Sequence, residues 1–143
     1  MFSANYSRQT ALASLNDLDA QMSDHELASL ARSEEAMVRA AVAERPGTPL
    51  TTLLKLCRDE SATVRAGLAR NPRPDMLPQI HEDLAADKVI EVVLALISNP
   101  AVPDSLIAKL GRQFHKDYSA AARERLASKG GAAGFLGRVG IAR

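Results

Sequence analysis

Three histidines, one cysteine and a few neighbouring acids are the residues of this chain whose chemistry could be put to work. His25, His81 and His115 are spread along the chain. None lies one helical turn from another or beside a cysteine, so a zinc site would require them to converge in space with carboxylates. Surface or cap positions account for them more simply. Cys57 falls on the apolar face of a short helical pattern, which predicts a buried, inert thiol. A nucleophilic thiol needs a base and an electropositive, exposed setting. Glu82-Asp83 and the pair Asp17 and Asp19 could imitate catalytic acids, but adjacent carboxylates on short helices are usually solvated. There is no Gly-x-Gly-x-x-Gly and no phosphate loop. The residues therefore predict a protein that is not an enzyme, with no catalytic, metal-binding or cofactor-binding residues and no cofactor.

Arginine carries the stronger signal. Arg39, Arg65 and Arg123 recur beside apolar residues at matching places. One expectation is a ladder, each guanidinium reaching an acidic turn residue such as Glu35, Asp59 or Asp87 and tying neighbouring segments together. The other is a phosphate-tracking ridge made of Arg32, Arg39, Arg58, Arg65, Arg70 and Arg73. The ladder is preferred. The series is broken at Val93, and aromatic residues, only 3% of the chain, are not interleaved for base stacking.

A second signal is the run from Val89 to Ile97. An inward stripe explains Val89, Val92 and Leu96, but Ile90, Val93 and Leu94 fall partly off that face. They are candidates for a partner-binding patch unless a neighbouring segment, a partner or the apolar residues Phe135, Leu136, Val139 and Ile141 cover them.

The elements that position these residues are repeated. Val38-Arg39-Ala40-Ala41-Val42-Ala43-Glu44-Arg45-Pro46 returns as Val64-Arg65-Ala66-Gly67-Leu68-Ala69-Arg70-Asn71-Pro72. Weaker copies end at Asn99-Pro100 and Lys129-Gly130. The anchors 42, 68, 96 and 126 are spaced by 26, 28 and 30 residues. Such a period marks stacked supersecondary units. Each unit has room for two short helices. Thr48 is expected to cap one, with Pro49 opening it, and Leu50, Leu53, Leu54 and Cys57 share its face. Ser61 caps the next, which Asn71 and Pro72 stop. Ser23-Asp24-His25-Glu26 has capping-box spacing. Asn5 to about Leu18 reads as a leading helix. The predicted fold is all-α: a solenoid of about four two-helix units over residues 1–129 with an N-terminal capping helix. Residues 130–143 form a tail whose five glycines interrupt any helix.

Arg45-Pro46-Gly47-Thr48-Pro49, then Leu53 and Leu56, the acidic turn at Asp59, Val64-Arg65 and Leu68-Ala69 together resemble the leucine-rich repeat variant family. The resemblance shades into HEAT-like repeats and covers roughly residues 20–129. It implies a right-handed superhelix of stacked short helices. Founding members carry an iron–sulfur segment ahead of the repeats. That requires several cysteines, and this chain has one, so the feature is not transferred.

Composition narrows the function classes. The chain has 143 residues, 46% hydrophobic and 24% charged, with net charge +1 and no Trp. That suits one ordinary soluble domain with an aliphatic core. Successive bands, 1–35, 36–74, 75–111 and 112–143, carry −4, +4, −4 and +5, a mixed surface rather than a basic stripe. No segment has the length and apolarity of a membrane span. A cytoplasmic protein without membrane contact is expected. Its expected role is a non-catalytic protein–protein interaction module with an unidentified protein partner, and it could oligomerise. The alternative is a HEAT-like nucleic-acid binder that uses the arginine ridge.

Overall fold

The computed structural model describes residues 22–113 and 115–141. Among them are eight helices and no strand: α1 Asp24–Leu30, α2 Ala36–Glu44, α3 Leu50–Leu56, α4 Ala62–Ala69, α5 Pro78–Ala85, α6 Ile90–Ser98, α7 Asp104–Gly111 and α8 Lys116–Ile141. The leading helix expected at 5–18 lies outside the described residues.

The helices pair into four units. α1 packs on α2, α3 on α4, α5 on α6 and α7 on α8. The second helices also stack on one another in chain order, α2 on α4, α4 on α6 and α6 on α8. Their apolar stripes explain this. Val38 and Val42 of α2, Val64 and Leu68 of α4, and Val92 and Leu96 of α6 are all buried. Leu27, Leu53, Leu56, Leu84 and Leu110 supply the first helices' share of the same core, and Leu30 and Leu126 are partly buried against it. The packing is that of a helical-repeat solenoid.

Small residues set the spacing of the stack. A Cβ built on Gly67 would lie 2.7 Å from the carbonyl oxygen of Ala40. Only glycine lets α4 approach α2 this closely.

Helix ends follow the sequence in most places. Ser23 and Glu26 form the expected capping box, each side chain bonded to the other's main-chain N–H. Pro78 opens α5. Thr48 departs from expectation. It is buried, and its hydroxyl donates 2.8 Å back to the carbonyl of Val42, sealing the end of α2 and leaving Pro49 to flank α3.

Two larger corrections concern the end of the chain. The fourth unit's register is one helical turn earlier than the anchor at 126 implied. Tyr118 and Ala122, both buried, hold the places of Val92 and Leu96, so the true spacings from Val38 are 26, 28 and 26. Arg123 consequently does not match Arg39 and Arg65; it is exposed. Beyond residue 129 the expected helix-free tail is helical, since α8 continues through Gly130, Gly131, Gly134 and Gly137 to Ile141. Glycine weakens a helix by about 1 kcal/mol relative to alanine but keeps its N–H, so it need not end one. The apolar tail residues proposed as a cover lie outside the described side chains.

Candidate functional site

Arg39 and Arg65 are engaged inside the stack. Arg39 Nε and Nη2 donate to Asp59 of the next unit at 2.9 and 3.1 Å, and Nη1 donates to the Ser33 carbonyl at 2.8 Å. Arg65 repeats this one unit on, with Asp87 at 2.7 and 3.4 Å and the Asp59 carbonyl at 2.7 Å. The acids do a second task. Asp59 Oδ1 accepts from Ser61 N–H and Asp87 Oδ1 from Val89 N–H, so each caps the helix that follows. Burial pushes the Asp59 carboxyl up, but the Arg39 guanidinium and the Ser61 N–H outweigh it and hold it below the usual carboxylate range. Of the acids expected as partners, Asp59 and Asp87 hold the two guanidiniums, and the remaining nitrogen of Arg39 goes to the carbonyl of Ser33.

The remaining members of the predicted ridge do not align into a free basic surface. Arg73 donates to the Thr48 carbonyl at 2.6 Å and to Asp75. Arg70 pairs with Glu44 at 3.1 Å across α4 and α2. Arg32 and Arg58 are exposed.

A second ladder escaped the sequence reading. Asn71 Nδ2 donates to the carbonyls of Ala43 and Arg45, and Asn99 Nδ2 donates to those of Ala69 and Asn71. Both side chains are buried. In the fourth unit Arg125 takes this place and donates to Ile97 and Val102. The recurrence of Asn before Pro was the available signal, and as sequence it meant only a helix stop.

The apolar candidates separate. Val93 is fully buried, Leu94 is partly buried and Ile90 is 38% exposed, so the three form no common patch. Val93 fills space that arginine stems occupy in the sibling units, and Gln113 stands where Asp59 and Asp87 do. The ladder loses both halves of a rung together at the junction of the third and fourth units.

Among the candidate chemical groups, Cys57 is buried, with its thiol pushed up to about 11 by burial and then by Asp83, 3.9 Å away. That is an inert thiol at neutral pH. Glu82 and Asp83 are exposed, and Asp17 and Asp19 lie outside the described residues. His25 is exposed, and His115 stacks on Tyr118 with ring centres 3.9 Å apart. His81 is different. It is buried, burial pulls its pKa down, and its Nε2 has no hydrogen-bond partner. Among the described residues no group of three or more His, Cys, Asp and Glu could hold a metal ion. No helix among them is long and apolar enough to cross a membrane.

His81 lines a cleft of about 360 Å³ between α5 and α7. Pro74, Met76, Pro78, Pro103 and Leu106 give it an apolar wall, and Glu82 of α5 and Lys109 of α7 also line it. A larger depression of about 450 Å³ between α6 and α8 is bordered by Pro100 and Arg125. Arg125 is already committed to carbonyls there, so that depression offers little free polar chemistry.

Residues 36–61, spanning α2, α3 and the turn after it, match the family model of the leucine rich repeat variant. The match covers one period of the stack and includes Arg39 and Asp59, the two ends of a rung. No curated protein and no solved structure matches the chain.

Proposed function

We propose that this chain is a non-catalytic helical-repeat scaffold that binds another protein, working in the cytoplasm. The observation that carries the reading is the internal engagement of Arg39 and Arg65. Guanidinium groups clamped on Asp59 and Asp87 are not available to track phosphates, which removes the main support for a nucleic-acid ridge. Repeat stacking gives such a chain an extended surface on which a partner can lie. The same surface carries clefts between units, and among the described residues the one thiol is buried and the three histidines stand in different units.

The test is capture of partners from native lysate on the immobilised full chain, with and without nuclease. The scaffold reading expects a protein retained equally in both. Retention that vanishes with nuclease, together with DNA binding that falls steeply as salt rises, would replace it with the nucleic-acid reading.

A further inference from the structure

The third unit departs from its siblings in two ways, and both departures meet at the cleft between α5 and α7. The first is length. Four residues lie between Arg45 and the start of α3 and between Asn99 and the start of α7, whereas six lie between Asn71 and the start of α5. The longer connection supplies Pro74 and Met76 to the cleft wall. The second is His81. It stands eleven residues before Val92, as Leu53 stands before Val64 and Ile107 before Tyr118. Leu53 and Ile107 are fully buried aliphatic side chains, and His81 puts an imidazole at the same level of the core.

The longer connection also buries Met76 in the core, but the imidazole does not serve the stack as its aliphatic siblings do. A buried nitrogen without a partner costs stability that leucine would not, and such a group calls for an explanation. The cleft has the size of a small-ligand pocket, and three prolines hold its walls with little ordering left to lose on binding. Its charges cancel. Glu82 and Lys109 line it with opposite signs, and burial disfavours the charged form of the imidazole, so an uncharged group complements it better than an ion. An apolar body with a single polar tip describes a tyrosine or tryptophan side chain, which needs a partner for its O–H or N–H when buried.

We infer that the cleft between α5 and α7 is a docking site for a tyrosine or tryptophan side chain of the partner protein, whose O–H or N–H donates to the imidazole of His81. Pro74, Met76, Pro78, Pro103 and Leu106 enclose the ring. This inference rests on the scaffold reading and adds the chemistry of its contact point.

The experiment uses the full chain and supplied probes, so it does not depend on finding the natural partner. N-acetyl-tyrosinamide is titrated while the His81 ring resonances are followed by NMR, and N-acetyl-phenylalaninamide, which lacks the hydroxyl, serves as comparison. Saturable shifts at His81 are expected, with the phenylalanine probe about tenfold weaker because the buried imidazole then stays unpaired. His81→Leu restores the sibling residue and should fold with an unchanged or raised Tm. It should bind both probes equally. Absence of a saturable shift at His81, or equal binding of both probes to the wild-type chain, overturns the proposal. A partner from lysate held equally by wild type and His81→Leu would leave the scaffold reading standing while the cleft assignment falls.

Discussion

Asp59 holds Arg39 of the preceding unit through two nitrogens while its own Oδ1 caps the helix that follows. Both side chains of the pair are nearly enclosed, 12% and 11% exposed. Asp59→Ala therefore removes a helix cap and leaves a shielded guanidinium with only a carbonyl partner. Urea unfolding should show a loss of about 3–5 kcal/mol, the range for breaking a buried pair. Glu44→Ala breaks the exposed pair with Arg70 and should cost about 0–1 kcal/mol. Equal effects would deny the ladder its structural role.

The missing rung can be rebuilt. Val93→Arg alone places a charge in a buried position where no acid waits, and the variant should be destabilised by about 3 kcal/mol or more. Adding Gln113→Asp supplies the carboxylate that Asp59 and Asp87 supply elsewhere. The double variant should recover at least about 1 kcal/mol beyond additivity, as measured in a double-mutant cycle. Strict additivity would show that the fourth unit's turn does not stand in the register assigned to it.

Asn99 gathers the Ala69 and Asn71 carbonyls with one amide nitrogen. Asn99→Ala should cost about 1–3 kcal/mol by leaving those oxygens unpaired. Asn99→Asp should cost more, because a carboxylate would face acceptors. A thermal melt in which the aspartate variant matches wild type would contradict the assigned bonds.

Gly67 inverts the ordinary ranking of helix formers. Alanine at a helical glycine normally gains up to about 1 kcal/mol. Here the new methyl would meet the Ala40 carbonyl at 2.7 Å. Overpacking outweighs propensity, and Gly67→Ala should lower stability by about 1–2 kcal/mol net. A stabilised variant would mean that α4 and α2 can part at little cost.

Stability should fall at both ends of the pH scale. His81 has a depressed pKa when folded, so the unfolded chain takes up its proton first and stability is lost as pH falls below about 6.5. Asp59, also depressed, adds a further loss as pH drops through the carboxylate range. Cys57, raised to about 11, acts in the opposite sense. The unfolded thiol ionises first, and stability declines as pH rises from 9.0 toward that value. Chemical unfolding from about pH 2 to 10.5 checks the profile. His81→Leu should flatten the limb just below neutrality, and Cys57→Ala should flatten the alkaline one.

The repeat and its core were legible because apolar periodicity and the Val-Arg phrase report the same register twice. Val64 and Leu68 could be placed inward, and Arg65 opposite an acid, from spacing alone. The fourth unit was misplaced because Tyr118 and Ala122 differ in size from the residues they replace, while Ala122-Arg123 imitates the phrase at a shifted position. The asparagine ladder was hidden by a local explanation, since a residue before proline already ends a helix. His81 looked like a surface histidine because its meaning depends on counting back from Val92 to the aliphatic siblings Leu53 and Ile107. Val93 could be read as core or as patch, because burial on several sides leaves no polar face to decide between them.

The joints of this solenoid carry no address. Arg39 meets an aspartate 20 residues ahead, and nothing in that bond distinguishes Asp59 from Asp87. Excising residues 59–86 would bring Asp87 to the place of Asp59 and Asn99 to the place of Asn71. Arg39 would close on the new acid, and Asn99 on the carbonyls of Ala43 and Arg45. The cleft would go with the excised residues, and the shortened chain would keep the arginine and asparagine seams, while Ala95 would replace Gly67 against Ala40 and the contacts of Arg70 and Arg73 would be lost. The two side-chain ladders thus set no fixed number of units, whereas the close approach at Gly67 and the third unit's own residues are not interchangeable with those of their neighbours.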